Sequence, residues 1–233
     1  MPQHSRHVRL DESLQLPGCP VCRVVLQRVE QSLESISYEL VLDPAFRETV
    51  DAAWGFCNVH AQQWLEHVPP LGTAIIYEAA LGRIARQLEH QRPGRSGAGG
   101  LRSKLGGSRV SNALAPAGAC PLCTVQSDHE SQLIGQLLDE LRSASFRDRY
   151  AASDGLCVVH MNAALAAEPS TEILEALRAR LLASHRLLQD QLREIIRKHD
   201  YRYRHETMGD ELGAPARAVR QVAGASGLTR GTE

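Results

Sequence analysis

Aromatic residues are scarce: Phe, Tyr and Trp together make up 4% of the 233 residues. A core of that composition must be built from Leu, Ile, Val and Ala, which favours helix packed on helix over sheets that draw on aromatic and β-branched side chains. Net charge is nearly absent too, at −1. No global field is available to recruit nucleic acid or an anionic membrane, and nucleic acid is not an expected partner. The first ten residues, MPQHSRHVRL, contain no apolar run of the secretory kind. No uninterrupted apolar stretch reaches the roughly 18 residues of a membrane span. The expectation is a cytoplasmic protein without a membrane segment.

Catalytic signatures are missing as well. There is no glycine-rich phosphate loop between a strand and a helix, no serine-nucleophile elbow and no HExxH pair. The glycines near Gly97 to Gly100 lack the flanking strand and helix that such a loop needs. The balance of the sequence is against an enzyme, and no catalytic residue is nominated.

What the chain does have is six cysteines, all in two copies of one pattern. The first copy is Cys19-Pro20-Val21-Cys22 followed by Gly55-Phe56-Cys57-Asn58-Val59-His60. The second is Cys120-Pro121-Leu122-Cys123 followed by Gly155-Leu156-Cys157-Val158-Val159-His160. The intervals Cys22 to Cys57 and Cys123 to Cys157 differ by one residue, and Phe46-Arg47 recurs as Phe146-Arg147 in the same register. The pattern reads as an internal duplication.

The spacing points to metal. A CPxC turn brings two thiolates together, and proline helps to fix that turn. In each Cys-x-x-His pair the side chains at i and i+3 project from one side of a helical turn, with a glycine just upstream to let the chain enter sharply. The two elements supply four ligands, the number a structural tetrahedral zinc site takes. The expectation is two zinc ions, one in each half: Cys19, Cys22, Cys57 and His60 around the first, Cys120, Cys123, Cys157 and His160 around the second. Four protein ligands leave no open coordination position, which argues for structural metal rather than metal-assisted hydrolysis. Metal-free buried cysteines, an iron–sulfur cluster and thioredoxin-like use of the CxxC pairs are weaker readings of the same residues.

Helical periodicity covers most of the rest. Val25, Val29, Leu33, Ile36 and Leu40 mark a helix over 24–42. Asp43-Pro44 reads as an N-cap followed by a first-turn proline, starting a helix toward Ala53. Further helices are expected over 60–66 and 72–88, and in the second half over 131–141, 146–152 and 160–166. A long one begins at Ser170, whose hydroxyl is placed to cap it. No alternating strand is found, so the fold class is all-α: two duplicated, zinc-pinned modules packed as a helical bundle.

The expected domains are residues 1–91 as the first module, 92–118 as a flexible basic linker, 119–205 as the second module with its long C-terminal helix, and 206–233 as a mostly flexible tail. The linker is rich in Gly, Ser and Pro and has five basic residues and no acidic one. Within the tail, a short helix around 215–222 is expected, with Pro215 in its first turn. The stretch containing Tyr201, Arg202, Tyr203 and Arg204 is the candidate for contact with a ligand or partner. Its bland reading, a basic helix end with tyrosines packed back on the bundle, is favoured.

CPVC with GFCNVH, repeated as CPLC with GLCVVH, closing in RKHDYRYRHE and joined by Leu71-Gly72-Thr73-Ala74-Ile75-Ile76-Tyr77-Glu78, resembles an uncharacterised bacterial family, the domain-of-unknown-function family numbered 6062. The resemblance covers about Leu16 to Gly209. It implies a duplicated helical protein with two cysteine–histidine sites, and no activity. The function expected is a zinc-binding scaffold presenting helical surfaces to another protein or to itself. The alternatives are a thiol-based redox or metal sensor that releases zinc on oxidation, and an enzyme or ligand-binding protein with a pocket between the modules.

Overall fold

The computed structural model describes residues 10–90 and 114–229. Among these residues there are helices and no strands. The chain opens with α1 (10–14), then α2 (Pro20–Ser35), a π-helical turn (Ile36–Leu40), α3 (Pro44–Ala52), α4 (Asn58–His67) and α5 (Pro70–His90). After the undescribed residues come α6 (Pro121–Glu140), α7 (Ala144–Ala152), α8 (Val158–Ala166), α9 (Thr171–Lys198), a 3-10 turn (Asp210–Gly213) and α10 (Ala214–Ala223). The all-α expectation holds. The expected linker falls largely outside the described residues.

Local chemistry explains the boundaries. Val21, Val25, Val29 and Leu33 lie four apart on α2 and are fully buried, so one stripe of β-branched and leucine side chains carries that helix. At Ile36 the helix widens, with the Val41 amide donating to the Ile36 carbonyl at 2.9 Å. Asp43 caps α3 as its sequence suggests: its carboxylate accepts from the Phe46 amide at 2.7 Å, and Pro44 occupies the first turn. Ser170 precedes α9 as expected, but its side chain makes no capping bond.

The described residues fall into two compact units, the Gln31–Thr124 unit (31–90 with 114–124) and a second made of 10–30 with 125–229. In the Gln31–Thr124 unit, α5 packs on α3 and α4. Trp64 is fully buried there; its indole donates to Thr73 Oγ1 at 3.0 Å and its ring lies 4.8 Å from Phe56. In the other unit, α9 packs on α7 and α10, and α10 also packs on α8. Phe146, Tyr150, Leu137, Leu141 and Leu177 are buried in it.

The segment from 206 to 229 carries a set of anchoring contacts to α9. Glu211 is buried and takes hydrogen bonds from Lys198 Nζ at 2.7 Å and from the Gly209 amide at 2.9 Å. Lys198 also donates to the Thr207 carbonyl at 2.8 Å, and Arg197 pairs with both Glu194 and Glu206. α10 has Pro215 in its first turn and buries Ala214 and Gln221. The anchoring pairs join residues on α9 to residues up to 13 positions further along the chain, a link that composition does not carry.

Candidate metal centre

All four ligand pairs occupy the same local position, the residue before a helix and the third residue within it. Cys57 is the N-cap of α4 and His60 lies in its first turn; Cys157 and His160 repeat this on α8. Cys19 and Cys120 precede α2 and α6, their carbonyls accepting from the Arg23 and Thr124 amides, with Cys22 and Cys123 in the first turns. Helix N-termini offer unpaired amides and the positive end of the dipole, both of which favour thiolate.

Two glycines make the approach to the histidine-bearing helices feasible. Gly55 has φ +95 and Gly155 φ +74, values that side chains rarely adopt. A Cβ on Gly55 would stand 2.8 Å from the Tyr77 ring, and one on Gly155 2.7 Å from Arg180 Cγ.

The structure brings all eight predicted ligands into two clusters of three cysteines and one histidine, but not in the expected partition. One cluster is Cys19, Cys22, Cys157 and His160; the other is Cys57, His60, Cys120 and Cys123. Within each, one ligand atom from every residue lies within 4.8 Å of the others. Each CPxC turn therefore meets the Cys-x-x-His turn from the opposite half of the sequence. Each cluster is nonetheless contained in one compact unit.

Helix length explains the exchange. From Pro20 to Leu40 the chain is helical and rises about 30 Å, whereas the nine residues of α3 return only about 13 Å. The Trp54–Gly55 turn, with both residues at positive φ, adds little reach. In the second half, the 20-residue α6 and nine-residue α7 pose the same mismatch. Backbone contacts secure the exchanged arrangement. The Gly18 amide, next to Cys19, donates to Asp154 Oδ2 at 2.6 Å, just ahead of the GLC turn. The Ala117 and Gly118 amides, ahead of Cys120, both donate to the Ala52 carbonyl at 3.0 Å, ahead of the GFC turn.

In the first cluster His160 Nδ1 lies 3.5, 3.3 and 3.3 Å from the sulfurs of Cys19, Cys22 and Cys157, and the Cys22 and Cys157 sulfurs are 3.7 Å apart. In the second, His60 Nδ1 lies 3.3, 3.6 and 3.4 Å from the sulfurs of Cys57, Cys120 and Cys123, and the Cys57 and Cys123 sulfurs are 3.5 Å apart. The electrostatics favour positive charge at the centre of the first cluster. Burial opposes an imidazolium at His160, but hydrogen bonds with Cys157 and Cys22, with Glu130 adding to them, outweigh it and raise its pKa to about 11. Hydrogen bonds from Cys19 and Cys22 pull the Cys157 thiol far below its ordinary range, while burial pushes Cys19 up. The same sulfurs that raise His160 would favour a cation held among them.

Several supporting residues escaped the sequence reading. Glu130 Oε1 stands 3.5 Å behind His160 Nε2 and accepts from Gln126 Nε2 at 3.0 Å, while Gln126 bonds to Thr229 through both ends of its amide. A carboxylate behind a histidine ligand fixes ring orientation and basicity. The position seven residues beyond Cys22 holds Val29, where the one beyond Cys123 holds Glu130, so comparison of the two copies gave no signal.

The Tyr-Arg stretch is brought to neither cluster. Arg202 is engaged by Asp200 at 2.7 Å, and Tyr203 lies beneath the guanidiniums of Arg197 and Arg202 at 4.6 and 5.6 Å. Tyr201 is exposed. Arg202 and Tyr203 are thus engaged locally, while Tyr201 is not packed back on the bundle.

A family model described as a family of unknown function, DUF6062, matches residues 8–227. No curated protein and no solved structure matches the chain.

Proposed function

The chain belongs to DUF6062, a family of unknown function, and we propose from its own geometry that it is a protein pinned by two structural zinc ions. The observation that carries this is the size of the ligand cages. A tetrahedral ion with Zn–S about 2.3 Å and Zn–N about 2.0 Å has S···S edges of about 3.8 Å and S···N edges of about 3.5 Å. The Cys22–Cys157 and Cys57–Cys123 S···S edges are 3.7 and 3.5 Å, the S···N distances run from 3.3 to 3.6 Å, and every ligand atom lies within 4.8 Å of the others in its cage. Three soft thiolates and one imidazole in a closed tetrahedron are a donor set that suits zinc.

Each ion would tie the N-terminus of one helix to that of another, α2 to α8 and α4 to α6. The ions hold a scaffold together and supply no open coordination position for substrate. What the scaffold offers is helical surface. In the Gln31–Thr124 unit Leu71, Leu81 and Leu88 on α5, with Tyr38 and Leu42, are large apolar side chains left exposed. Apolar surface of this kind suits a protein partner or a second copy of the chain.

The test is elemental analysis of protein purified without added metal, followed by circular dichroism during chelation. Two zincs per chain and loss of helix on chelation support the reading. Iron, or no metal with six freely reactive thiols, overturns it. Light scattering across a concentration series then separates self-association from a need for another protein.

A further inference from the structure

The two cages share a donor set but differ in what surrounds them. In the first, Cys22 and Cys157 are 3% and 0% exposed and Cys19 is at 9%. The chain leaving α10 passes directly over it: a Cβ on Gly224 would lie 3.9 Å from Cys22 Sγ and 3.7 Å from Val159. That segment is anchored by Gln221, which donates to the Leu156 carbonyl at 2.8 Å, and by the Gln126–Thr229 pair. In the second cage Cys57, Cys120 and Cys123 are all partly exposed and only His60 is buried. Reagents that attack sulfur need access to it, and oxidation among similar thiolates follows exposure.

We propose that the Cys57–His60–Cys120–Cys123 site is the one modified by peroxides, losing its metal as Cys57 and Cys123 join in a disulfide, while the other site stays closed. This rests on the zinc reading above and assigns a reactive role to one of its two sites. Cys57 and Cys123 are the reacting pair because their sulfurs lie 3.5 Å apart on two helix N-termini. The Cys57 thiolate attacks one peroxide oxygen; the O–O bond breaks, leaving a sulfenic acid and hydroxide. The Cys123 thiolate attacks that sulfur, the disulfide forms and a second hydroxide departs. Two electrons pass from the sulfur pair to the peroxide, two protons from solvent complete two waters, and the ion, left with Cys120 and His60, escapes. Bringing the sulfurs from contact to the roughly 2.05 Å of a disulfide is a small movement of two side chains.

The experiment treats the full-length zinc protein, its metal content counted first, with hydrogen peroxide. Released zinc is read with a chromophoric chelator, and the remaining thiols are alkylated and mapped by mass spectrometry. One zinc per chain is expected to leave at least about tenfold faster than the second, with a Cys57–Cys123 disulfide and with Cys19, Cys22 and Cys157 still reduced. A brief maleimide pulse on the untreated protein gives a second readout that needs no variant to fold. It is expected to label Cys57, Cys120 and Cys123 first. Release of both zincs at one rate, or earlier reaction of the buried cysteines, overturns the inference and leaves two structural zincs standing. Protein that carries no zinc at the outset overturns the zinc reading, and this inference with it.

Discussion

Cys22 Sγ lies 3.7 Å from Cys157 Sγ across 135 residues of chain. That contact means the two CPxC/CxxH copies cannot complete their cages separately, and it gives a sharp genetic test. Cys22→Ser and Cys157→Ser are each expected to remove one of two bound metals, and the double variant still only one. Cys22→Ser combined with Cys57→Ser is expected to remove both. Metal counts per chain on the four proteins decide it; the reverse pattern would restore a pairing within each half of the sequence. Because binding of a structural ion is largely folding free energy, the Cys22→Ser/Cys57→Ser protein should also lose the most helix.

The exchange shows where sequence reading stops. The ligands, the capping aspartate and the helix-ending glycines were legible because each is a local decision, settled within one turn by side-chain chemistry. Which CPxC turn meets which CxxH turn is settled by the lengths of α2 and α6 against those of α3 and α7. Helix ends predicted to within a few residues do not convey that. The expected helix over 131–141 begins ten residues earlier in the structure, at Pro121. With that longer helix in hand the within-half cage is already out of reach. The buried character of the first cage depends on where the chain leaving α10 lies, and nothing in the cysteine pattern encodes it.

The two helix starts at Asp43 and Ser143 look alike in sequence and differ in structure. Asp43 caps the Phe46 amide at 2.7 Å, whereas Ser143 makes no capping bond and pairs its hydroxyl with Ser145 at 2.9 Å. Asp43→Ala is therefore expected to cost about 1 kcal/mol and Ser143→Ala no more than a few tenths. Thermal melts of the metal-loaded proteins test this; at this chain length, about 1 kcal/mol corresponds to a shift of roughly 2–4 °C in Tm. Equal losses would show that the Asp43 bond contributes nothing.

Alanine at either of the two glycine turns should be destabilising. Both positions have positive φ, so each substitution carries backbone strain of about 1–2 kcal/mol. At Gly55 the new Cβ also meets the Tyr77 ring, whose half-buried position leaves it little room to move. At Gly155 it meets Arg180 Cγ at 2.7 Å, near the root of a side chain whose guanidinium is held by the Ala151 carbonyl and Ser184 Oγ. Both substitutions are therefore expected to destabilise by more than the backbone strain alone in denaturant titrations, and a loss within that strain at either position would contradict the placement of Tyr77 or of Arg180.

The docking of the C-terminal segment should depend on acid through Glu211. The Gly209 amide and the Lys198 ammonium hold its carboxyl down, to about 2, below the ordinary carboxylate value of about 4.3. A carboxyl with a lowered folded-state pKa contributes stability above its unfolded value and loses it as pH falls through the folded one. Hydrogen exchange of residues 206–229 is therefore expected to be slow and flat from pH 7 to about 4.5, then to lose protection as pH drops toward about 2, after correction for intrinsic exchange. Glu211→Gln keeps the side-chain shape but gives up the Lys198 ion pair. It should lower protection at pH 7 and flatten that acid dependence, while metal content at pH 7 stays at the wild-type count. If the variant instead keeps the wild-type acid profile, other carboxylates hold the segment, and the contacts of Arg197 with Glu194 and Glu206 are the ones to test next.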